Sequence, residues 1–320
     1  MKHLFVGLLA LSQIAAAPFV SAPIRAGQGD PGVLGGTILA PAGRSGDPVV
    51  LMIPGSGPTD RDGNSAIPGV RPATLRLLAE GLASRGIASV RVDKRGMFTS
   101  AHAAVDGNHV VFGDYVDDTR AWIAAIRART GARCVWLLGH SEGSLVAMDT
   151  AHESRDICGL LLISPPGRSF HDVLIDQLGA TPENAPRLVT ALDRLRDGHP
   201  VDVSSLSPGL RAIMPPAVQP YLISMLALDP TAMLAGTHLP VLIVHGQTDF
   251  QTRHRDALAL EAADPQATLV MLPGVNHIMR DAPAADSADG RAANIATYGT
   301  AGALDPRVIP TIANFVTAHP

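Results

Sequence analysis

The chain has 320 residues, of which 46% are hydrophobic and 17% charged, and its net charge is −4. This composition predicts a folded protein of one large or two small domains, because a disordered chain has fewer apolar residues and a higher net charge. Lys2 and Lys94 are the only lysines, and aromatic residues make up 4%. A basic patch and a base-stacking surface are both missing from the pattern, which argues against a nucleic-acid partner.

The first 26 residues have the pattern of a signal peptide. Lys2 and His3 precede an apolar run over residues 4–17, and small residues follow it. The run is shorter than the roughly 20 residues of a membrane span, so we expect residues 1–26 to direct export to the periplasm or the medium. A buried first helix is the alternative. Ala17, Ala22 and Ala26 are candidate cleavage points, between which the sequence does not choose. No other apolar stretch is long enough to cross a membrane, so we expect no stable span after processing.

Short apolar runs alternate with helical patterns after this leader. Runs of this kind are typical of strands buried on both faces. The predicted strands cover residues 35–41, 48–53, 87–92, 134–138, 158–163, 241–245 and 267–272. The predicted helices cover residues 75–83, 115–129, 143–152, 252–263 and 306–317. This alternation predicts an α/β protein with a mostly parallel, doubly wound sheet over residues 27–320.

The alternation stops between residues 167 and 239, where no buried strand is predicted. Thr181-Pro182-Glu183 has the pattern of a helix start, and residues 219–228 form a second apolar helical stretch. We therefore predict a helical cap inserted at about 167–239 and laid across one end of the sheet.

The two cysteines begin neighbouring predicted strands. Cys134 and Cys158 would lie at the same end of the sheet, where an exported protein could oxidise them to a disulfide. Two buried free thiols are the alternative, which the sequence favours slightly. Two cysteines alone do not make a zinc site, and no metal is expected.

The most specific motif is Gly139-His140-Ser141-Glu142-Gly143, the pattern G-x-S-x-G. It follows an apolar strand and precedes a helix, which is the context in which this motif forms a sharp turn that exposes a nucleophilic serine. Ser141 is therefore the candidate nucleophile. The amide of Glu142, at the start of the next helix, is a candidate donor to a developing oxyanion.

A serine nucleophile needs a base, and the base needs a carboxylate that orients it. Asp249 follows the strand at 241–245, and His277 follows the strand at 267–272. The chain order Ser…Asp…His makes these two residues the predicted partners of Ser141, with Asp281 as the rival acid. Because the imidazole must be neutral to accept a proton, activity should decline on the acidic side.

With these motifs the chain resembles the α/β-hydrolase superfamily, and within it a bacterial esterase-like branch, the serine aminopeptidase/lysophospholipase-like group. The segments that carry the resemblance are 54–64, 93–96, 139–143, 246–249 and 276–277. The resemblance implies a triad of Ser141, Asp249 and His277 and an oxyanion hole from the amides of Ser56 and Glu142. The glycines around Ser56 agree with this, since they let backbone amides approach a substrate closely.

Two departures from the family pattern concern the loops. Pro54-Gly55 stands where His-Gly is common, and Met97-Phe98 follow Asp93-Lys94-Arg95-Gly96 where a second glycine is common. Near these loops, we expect Arg61, Asp62 and Arg95 to form an ion-pair network that braces the oxyanion loop.

These observations predict a serine hydrolase that cleaves carboxylic esters through an acyl-serine intermediate, with a small-molecule ester or acyl substrate and without a cofactor. The same triad could serve a peptidase, a thioesterase or a lactonase. An aminopeptidase would use cap carboxylates such as Asp172, Asp176, Glu183 and Asp193 to hold a substrate ammonium. A hydrolase-like binding protein without activity is a further alternative. Apolar cap residues predict a preference for short to medium apolar acyl chains; these residues are Leu174, Leu178, Leu188, Leu192, Ile213, Met214, Leu222, Met225 and Leu226.

Overall fold

The computed structural model describes residues 19–27, 32–42, 48–152, 155–178, 185–299 and 302–320. Within them, eight strands form one sheet in the spatial order β1-β2-β4-β3-β5-β6-β7-β8. The strands are β1 Phe19–Ala26, β2 Leu34–Pro41, β3 Val49–Ile53, β4 Ala88–Val92, β5 Val135–His140, β6 Ile157–Ile163, β7 Val241–Gly246 and β8 Thr268–Leu272.

The sheet is parallel from β4 to β8 and antiparallel at its β1–β2 edge. Alternate side chains of the central strands enter two separate apolar cores. Leu51 of β3 belongs to one core, whereas its neighbours Val50 and Met52 belong to the other. The run VVLMI is buried throughout because helices cover both faces of the sheet. This architecture agrees with the α/β class predicted from the sequence.

Helices follow most of the parallel strands. Around the sheet they are α1 Thr74–Ala83, α2 Phe112–Thr130 and α3 Glu142–Ala151, then α9 His254–Ala263, α10 Ala288–Ala296 and α11 Val308–Ala318. Short 3₁₀ helices occupy Phe98–Ala103 and Thr297–Gly299. The helix α2 ends at Gly131, whose φ of 74° is the left-handed conformation that glycine adopts most easily at a helix end.

The described residues between β6 and β7 form helices and loops without a strand. The helices are α4 Phe170–Leu178, α5 Ala185–Arg196, α6 Pro208–Ile213, a 3₁₀ turn Pro216–Val218, α7 Gln219–Leu226 and α8 Pro230–Ala235. The sequence predicts two helical stretches here. Of these, α7 coincides with the second, whereas the start of the first, at residues 181–183, lies outside the described residues. We call residues 167–239 the cap segment.

The first strand overlaps the predicted leader, residues 1–26. Phe19–Ala26 pairs with β2 along its whole length, and Ile24 and Ala26 are buried. Cleavage after Ala22 or Ala26 would remove part or all of β1, whereas cleavage after Ala17 would retain it, and the domain bound at residue 27 stays a prediction. The sequence does not distinguish this strand from the leader, because the residues of the strand continue the small-residue pattern of the leader. Residues 1–18 lie outside the described part of the chain.

The two cysteines form a disulfide, whereas the sequence slightly favours two free thiols. Cys134 immediately precedes β5 and Cys158 lies in β6, with their Cα atoms 5.2 Å apart. The register of β5 against β6 shifts by one residue at this point, between Val135 and Trp136. The neighbouring strands thus bring the two sulfur atoms together at the amino ends of the parallel strands, away from the ends that carry Ser141 and Asp249.

Candidate active site

Ser141 occupies a strained turn between β5 and α3. Its backbone has φ 55° and ψ −123°, a conformation that costs a non-glycine residue roughly 1–3 kcal/mol. The two motif glycines make this turn possible. A Cβ on Gly139 would lie 2.3 Å from the carbonyl oxygen of Gly143, and a Cβ on Gly143 would lie 2.3 Å from that of Ile53. Backbone packing therefore requires both glycines of the G-x-S-x-G pattern.

Asp249 lies in the loop after β7 with its carboxylate buried and fully hydrogen-bonded. Its Oδ2 lies 2.7 Å from Nδ1 of His277 and accepts a 2.9 Å hydrogen bond from the Thr252 hydroxyl. Its Oδ1 accepts the backbone N–H groups of Gln251 and Thr252 at 2.8 and 3.1 Å. Burial alone would raise the pKa of Asp249, but the charge and hydrogen bond of His277 together with the backbone donors outweigh it and lower the pKa to about 2.

His277 lies in the loop after β8, and hydrogen bonds to its side chain and to its backbone carbonyl hold it in place. Because a carboxylate only accepts hydrogen bonds, Nδ1 facing Asp249 carries the proton, which leaves the lone pair of a neutral imidazole on Nε2. The backbone carbonyl of His277 accepts hydrogen bonds from Nε2 of His140 at 2.9 Å and from the Ser164 hydroxyl at 3.3 Å. These contacts connect the loop that carries His277 to the ends of β5 and β6.

The fully buried side chain of Asn276 closes the same loop. Its Oδ1 accepts the backbone N–H of Arg280 at 3.2 Å, and its Nδ2 donates to Asn294 Oδ1 at 3.1 Å and to Thr297 Oγ1 at 2.8 Å. The amide group thus bridges the loop to α10 and the 3₁₀ turn after it. A side chain that satisfies both ends of its amide in this way fixes the loop conformation.

The structure separates the two candidate acids. Asp281 is exposed and pairs with Val275 in an isolated backbone bridge, so it does not occupy the Nδ1 side of the imidazole. Sequence reasoning missed Thr252 and Ser164. The hydroxyl of Thr252 donates to the carboxylate of Asp249, and the hydroxyl of Ser164 donates to the backbone carbonyl of His277. For Thr252 the only signal was its position three residues after Asp249; Ser164 directly follows β6.

Two backbone amides border the turn at Ser141. Glu142 is the first residue of α3, where an amide has no acceptor within the helix. Ser56 lies in the loop after β3, which passes close to the turn at Gly55. A Cβ on Gly55 would lie 3.3 Å from both the Ser141 Cβ and the His140 carbonyl oxygen. Glycine therefore allows this close approach.

Ion pairs hold the loop after β3 in place. Arg61 binds Asp93 through its backbone N–H at 2.9 Å and its Nε at 3.1 Å. Burial alone would raise the pKa of Asp93, but hydrogen bonds led by those from Arg61 hold it below its usual value. Asp62 pairs with Arg91. Arg95, which we expected in the same network, binds instead two carboxylates of α2.

Ser141 and His277 line one cavity of about 400 Å³, which also contains Ser56 and Glu142 in its wall. A second cavity of about 610 Å³ lies beside it and is covered by the cap segment. The two share five lining residues, Ser56, Ser65, Glu142, Phe170 and Gln177. Together they form a two-part space around the turn at Ser141.

The second cavity is mostly apolar. Of the nine apolar cap residues noted in the sequence, four line it, namely Leu174, Leu178, Ile213 and Leu222. The other five are buried in the packing of the cap helices. Arg291 lines the first cavity, with its guanidinium 4.6 Å from the centre of the Phe250 ring. Glu142 is the only carboxylate that lines either cavity within the described part of the chain, and it is paired with Lys94.

No cluster of three or more histidine, cysteine or acidic side chains suited to a metal ion occurs among the residues that the structure describes. A search of the same residues for a helix that is long and apolar enough to span a membrane finds none.

Comparison with known proteins gives matches to hydrolases. The family model described as serine aminopeptidase, S33, matches residues 73–204. Esterase EstD of Thermotoga maritima is 25% identical over 292 residues, an alignment that covers 88% of this chain and 65% of EstD. Phospholipase YtpA of Bacillus subtilis is 39% identical over 84 residues, which are 26% of this chain and 31% of YtpA. The chain therefore matches less than two thirds of the length of either curated relative.

Solved structures match across nearly the whole chain. Est1E of Butyrivibrio proteoclasticus has a TM-score of 0.54 at 17% identity, with 92% of this chain and 99% of Est1E covered. The Pyrococcus furiosus esterase Pf2001 has a TM-score of 0.59 at 15% identity, with 98% and 96% covered. At these identities the likeness establishes the fold. The chain is an α/β-hydrolase-fold protein that is similar to esterases.

Proposed function

We propose that the protein is a serine hydrolase that cleaves carboxylic esters through an acyl-serine intermediate. The observation that carries this proposal is the 2.7 Å hydrogen bond between Asp249 and His277, whose imidazole lines the same cavity as the strained Ser141. The similarity to esterases supports the reaction type.

In the first half of the reaction, Nε2 of His277 takes the proton of the Ser141 hydroxyl while Oγ bonds to the ester carbonyl carbon. The electron pair of the carbonyl moves onto its oxygen, and the amides of Ser56 and Glu142 donate to that oxyanion. When the carbonyl re-forms, the bond from carbon to the alcohol oxygen breaks. The alcohol leaves with the proton from His277, and the acyl group stays on Ser141.

In the second half, water replaces the alcohol. His277 takes a proton from the water as its oxygen bonds to the acyl carbon, and the resulting oxyanion occupies the same two amides. Collapse then breaks the bond to Oγ, and His277 returns the proton to Ser141. The net reaction converts an ester and water to a carboxylic acid and an alcohol, and Asp249 stabilises the imidazolium in both halves.

The two cavities suggest how the ester lies. Because His277 protonates the alcohol, the alcohol side of the substrate occupies the 400 Å³ cavity that His277 lines. The acyl chain then extends past the oxyanion amides into the apolar 610 Å³ cavity under the cap segment. This arrangement supports apolar acyl groups of short to medium length.

An aminopeptidase activity fits the cavities less well, because a buried ammonium needs a carboxylate partner. Asp176 is engaged by Arg168 and Arg255, and Asp193 by His171 and Arg196. Asp172 binds Ser169 and His171, and Glu183 lies outside the described residues. None of the three described aspartates lines either cavity.

A pair of substrates separates the two activities. We expect p-nitrophenyl hexanoate to be hydrolysed at least about tenfold faster, in kcat/KM, than p-nitrophenyl 6-aminohexanoate, because the ammonium loses its hydration without gaining a counter-ion. A preference for the aminated ester would favour the aminopeptidase. Thioester and lactone analogues with the same acyl chain, assayed in the same panel, distinguish the remaining hydrolase activities.

The presence of a reactive serine is tested by labelling with a fluorophosphonate. We expect one label per chain on wild-type protein, located on Ser141, and no label on Ser141→Ala. Ser144, buried three residues further on in α3, gives the matched control variant Ser144→Ala, which should keep the label if it folds. A well-folded wild type that takes no label would favour a binding protein without activity.

We also propose that the chain is exported. The apolar run after Lys2 and the disulfide between Cys134 and Cys158 support this, because stable disulfides belong mainly to oxidising compartments. Since β1 begins at Phe19, the processed chain should start at or before that residue. Cell fractionation with sequencing of the mature amino terminus tests the proposal, and a start after residue 22 or 26 would contradict a structural role for β1.

A further inference from the structure

Lys94 makes a buried three-way contact next to the candidate oxyanion hole. It follows β4, and its Nζ donates to Oε1 of Glu142 at 3.0 Å and to the backbone carbonyl of Gly57 at 3.4 Å. The same ammonium lies 5.2 Å from the centre of the Tyr115 ring. The side chains of Lys94 and Glu142 are only 7% and 2% exposed, so the pair is shielded from solvent.

The partners of Lys94 lie on the two chain segments that carry the oxyanion amides. Gly57 directly follows Ser56, the residue that supplies one amide. Glu142 itself supplies the other amide from the start of α3. These segments follow the ends of the neighbouring strands β3 and β5, and a single ammonium group joins them beyond the sheet.

We propose that Lys94 is a positioning residue that sets the spacing of the Ser56 and Glu142 amides. The inference rests on the proposed ester hydrolysis and deepens it, because it assigns a role to a side chain outside the triad. An oxyanion hole works only when its donors are held at hydrogen-bond distance from the position that the oxyanion takes in the transition state. The lysine supplies that fixed distance through one hydrogen bond to each segment.

Stability alone does not account for this arrangement. A buried ion pair gives little net stability compared with apolar residues that fill the same space, because both charges lose their hydration. Unlike an apolar pair, the ion pair fixes the orientation of the groups that it joins. The ammonium fixes the Glu142 side chain and, through the carbonyl of Gly57, the peptide segment that follows Ser56.

The alternative role for Lys94 is to bind an anionic substrate, since it also lines the 610 Å³ cavity. Its charge is already balanced by Glu142 at 3.0 Å. A second anion in this place would compete with that carboxylate and meet its repulsion. The geometry therefore favours the positioning role.

The test uses two variants of the pair in the full chain. Lys94→Met removes the bridge but leaves the buried carboxylate of Glu142, so it can fail through stability alone. The double variant Lys94→Met/Glu142→Leu removes both charges and keeps the space filled. Lys94→Arg keeps a cation that can donate to both partners. Arg76→Met, which removes an exposed ion pair to Glu80 on α1, is the matched control.

Two readouts separate positioning from folding. We expect kcat to fall about 10- to 100-fold in Lys94→Met and in the double variant, less than the full loss of one oxyanion donor, while KM stays within about threefold. Binding of a trifluoromethyl ketone, whose serine adduct carries an oxyanion, should weaken by a similar factor. Lys94→Arg should recover part of both losses, and Arg76→Met should show neither.

The outcomes distinguish this inference from the proposed function. A double variant with wild-type kcat and wild-type ketone affinity would overturn the inference, because charge balance alone would then explain the pair. A rise in KM at constant kcat would also overturn it, in favour of substrate binding. A folded wild type that neither hydrolyses esters nor takes the fluorophosphonate label removes the proposed function, and the inference with it.

Discussion

Asp249 and His277, 28 residues apart in the chain, are joined by a 2.7 Å hydrogen bond between a buried carboxylate and an imidazole that lines the same cavity as Ser141. The carboxylate accepts three further hydrogen bonds from the residues that follow it in its own loop. Its pKa of about 2 keeps it ionised throughout the pH range in which an esterase works. In the proposed mechanism, the base that must accept a proton is therefore His277.

We expect kcat/KM to fall about tenfold per pH unit on the acidic side, which is the slope for one proton.

Asp249→Asn should lower kcat about 10³- to 10⁴-fold, because an amide can favour the wrong imidazole tautomer and cannot stabilise the imidazolium. Asp281→Asn is the control, since that exposed carboxylate does not contact His277, and it should stay within about twofold. A loss of more than about twofold in Asp281→Asn would contradict the role of Asp249 as the orienting acid. An acid limb with a two-proton slope would contradict a single base.

His140 should make the fold sensitive to acid. Burial is the main cause that lowers the pKa of its imidazole from 6.5 to about 4, and the neighbouring His277 adds to it. Between these two pH values the unfolded chain binds a proton that the folded chain does not, so stability falls as the pH drops through this window. The loss levels off below pH 4 and amounts to at most about 3 kcal/mol.

The variant His140→Gln removes this titration and keeps a side-chain N–H for the carbonyl of His277. We expect its urea unfolding free energy to change less between pH 7 and pH 4.5 than that of the wild type, by about 2 kcal/mol. The comparison is of the two pH dependences, so a constant cost of the substitution cancels. Equal pH dependence in the two proteins would contradict the lowered pKa of the His140 imidazole in the fold.

Acyl-chain preference should follow the volume of the apolar cavity under the cap segment. We expect kcat/KM for p-nitrophenyl esters to rise from acetate to medium chains, because each buried CH₂ contributes about 0.8 kcal/mol, and to fall for palmitate. Leu222→Trp, in the wall of this cavity, should move the optimum to shorter chains and leave acetate nearly unchanged. An optimum that does not move would place the acyl chain elsewhere, and a strong preference for charged acyl groups would contradict the apolar site.

The disulfide should stabilise the fold without affecting the chemistry. Cys134 and Cys158 lie 24 residues apart in sequence. The loop-closure entropy for a loop of that length corresponds to a stabilisation of about 3 kcal/mol. We expect Cys134→Ser/Cys158→Ser to lose about 2–4 kcal/mol of unfolding free energy and to keep the wild-type kcat at temperatures where it is folded. Thiol titration of unfolded, unreduced wild type should find no free thiol. Two free thiols would contradict the bond.

Local sequence patterns predicted the parts of the site that depend on a strand and the turn that follows it. The G-x-S-x-G turn around Ser141 is of this kind, because its two glycines are required by contacts within the turn and with β3. The positions of Asp249 and His277 followed from the same logic. The alternation of apolar strands with helices was sufficient for the fold class, since it is set by short-range periodicity.

The features that sequence reasoning missed depend on contacts between distant segments. The strand β1 is defined by its pairing with β2, and its own residues do not distinguish it from a leader. The roles of Thr252 and Ser164 appear only when three loops meet at the carboxyl end of the sheet. The bridge from Lys94 to Gly57 and Glu142 likewise joins three segments. No local pattern encodes such meetings.

The most direct measurement of the central claim is mass spectrometry of the protein quenched in acid during turnover of p-nitrophenyl butanoate. We expect a mass increase equal to one butanoyl group in wild type, mapped by peptide analysis to Ser141 and lost in Ser141→Ala. We also expect that His277→Ala shows no comparable accumulation under the same conditions. Ester hydrolysis that continues in Ser141→Ala at the wild-type rate, or an acyl group on a different residue, would contradict it.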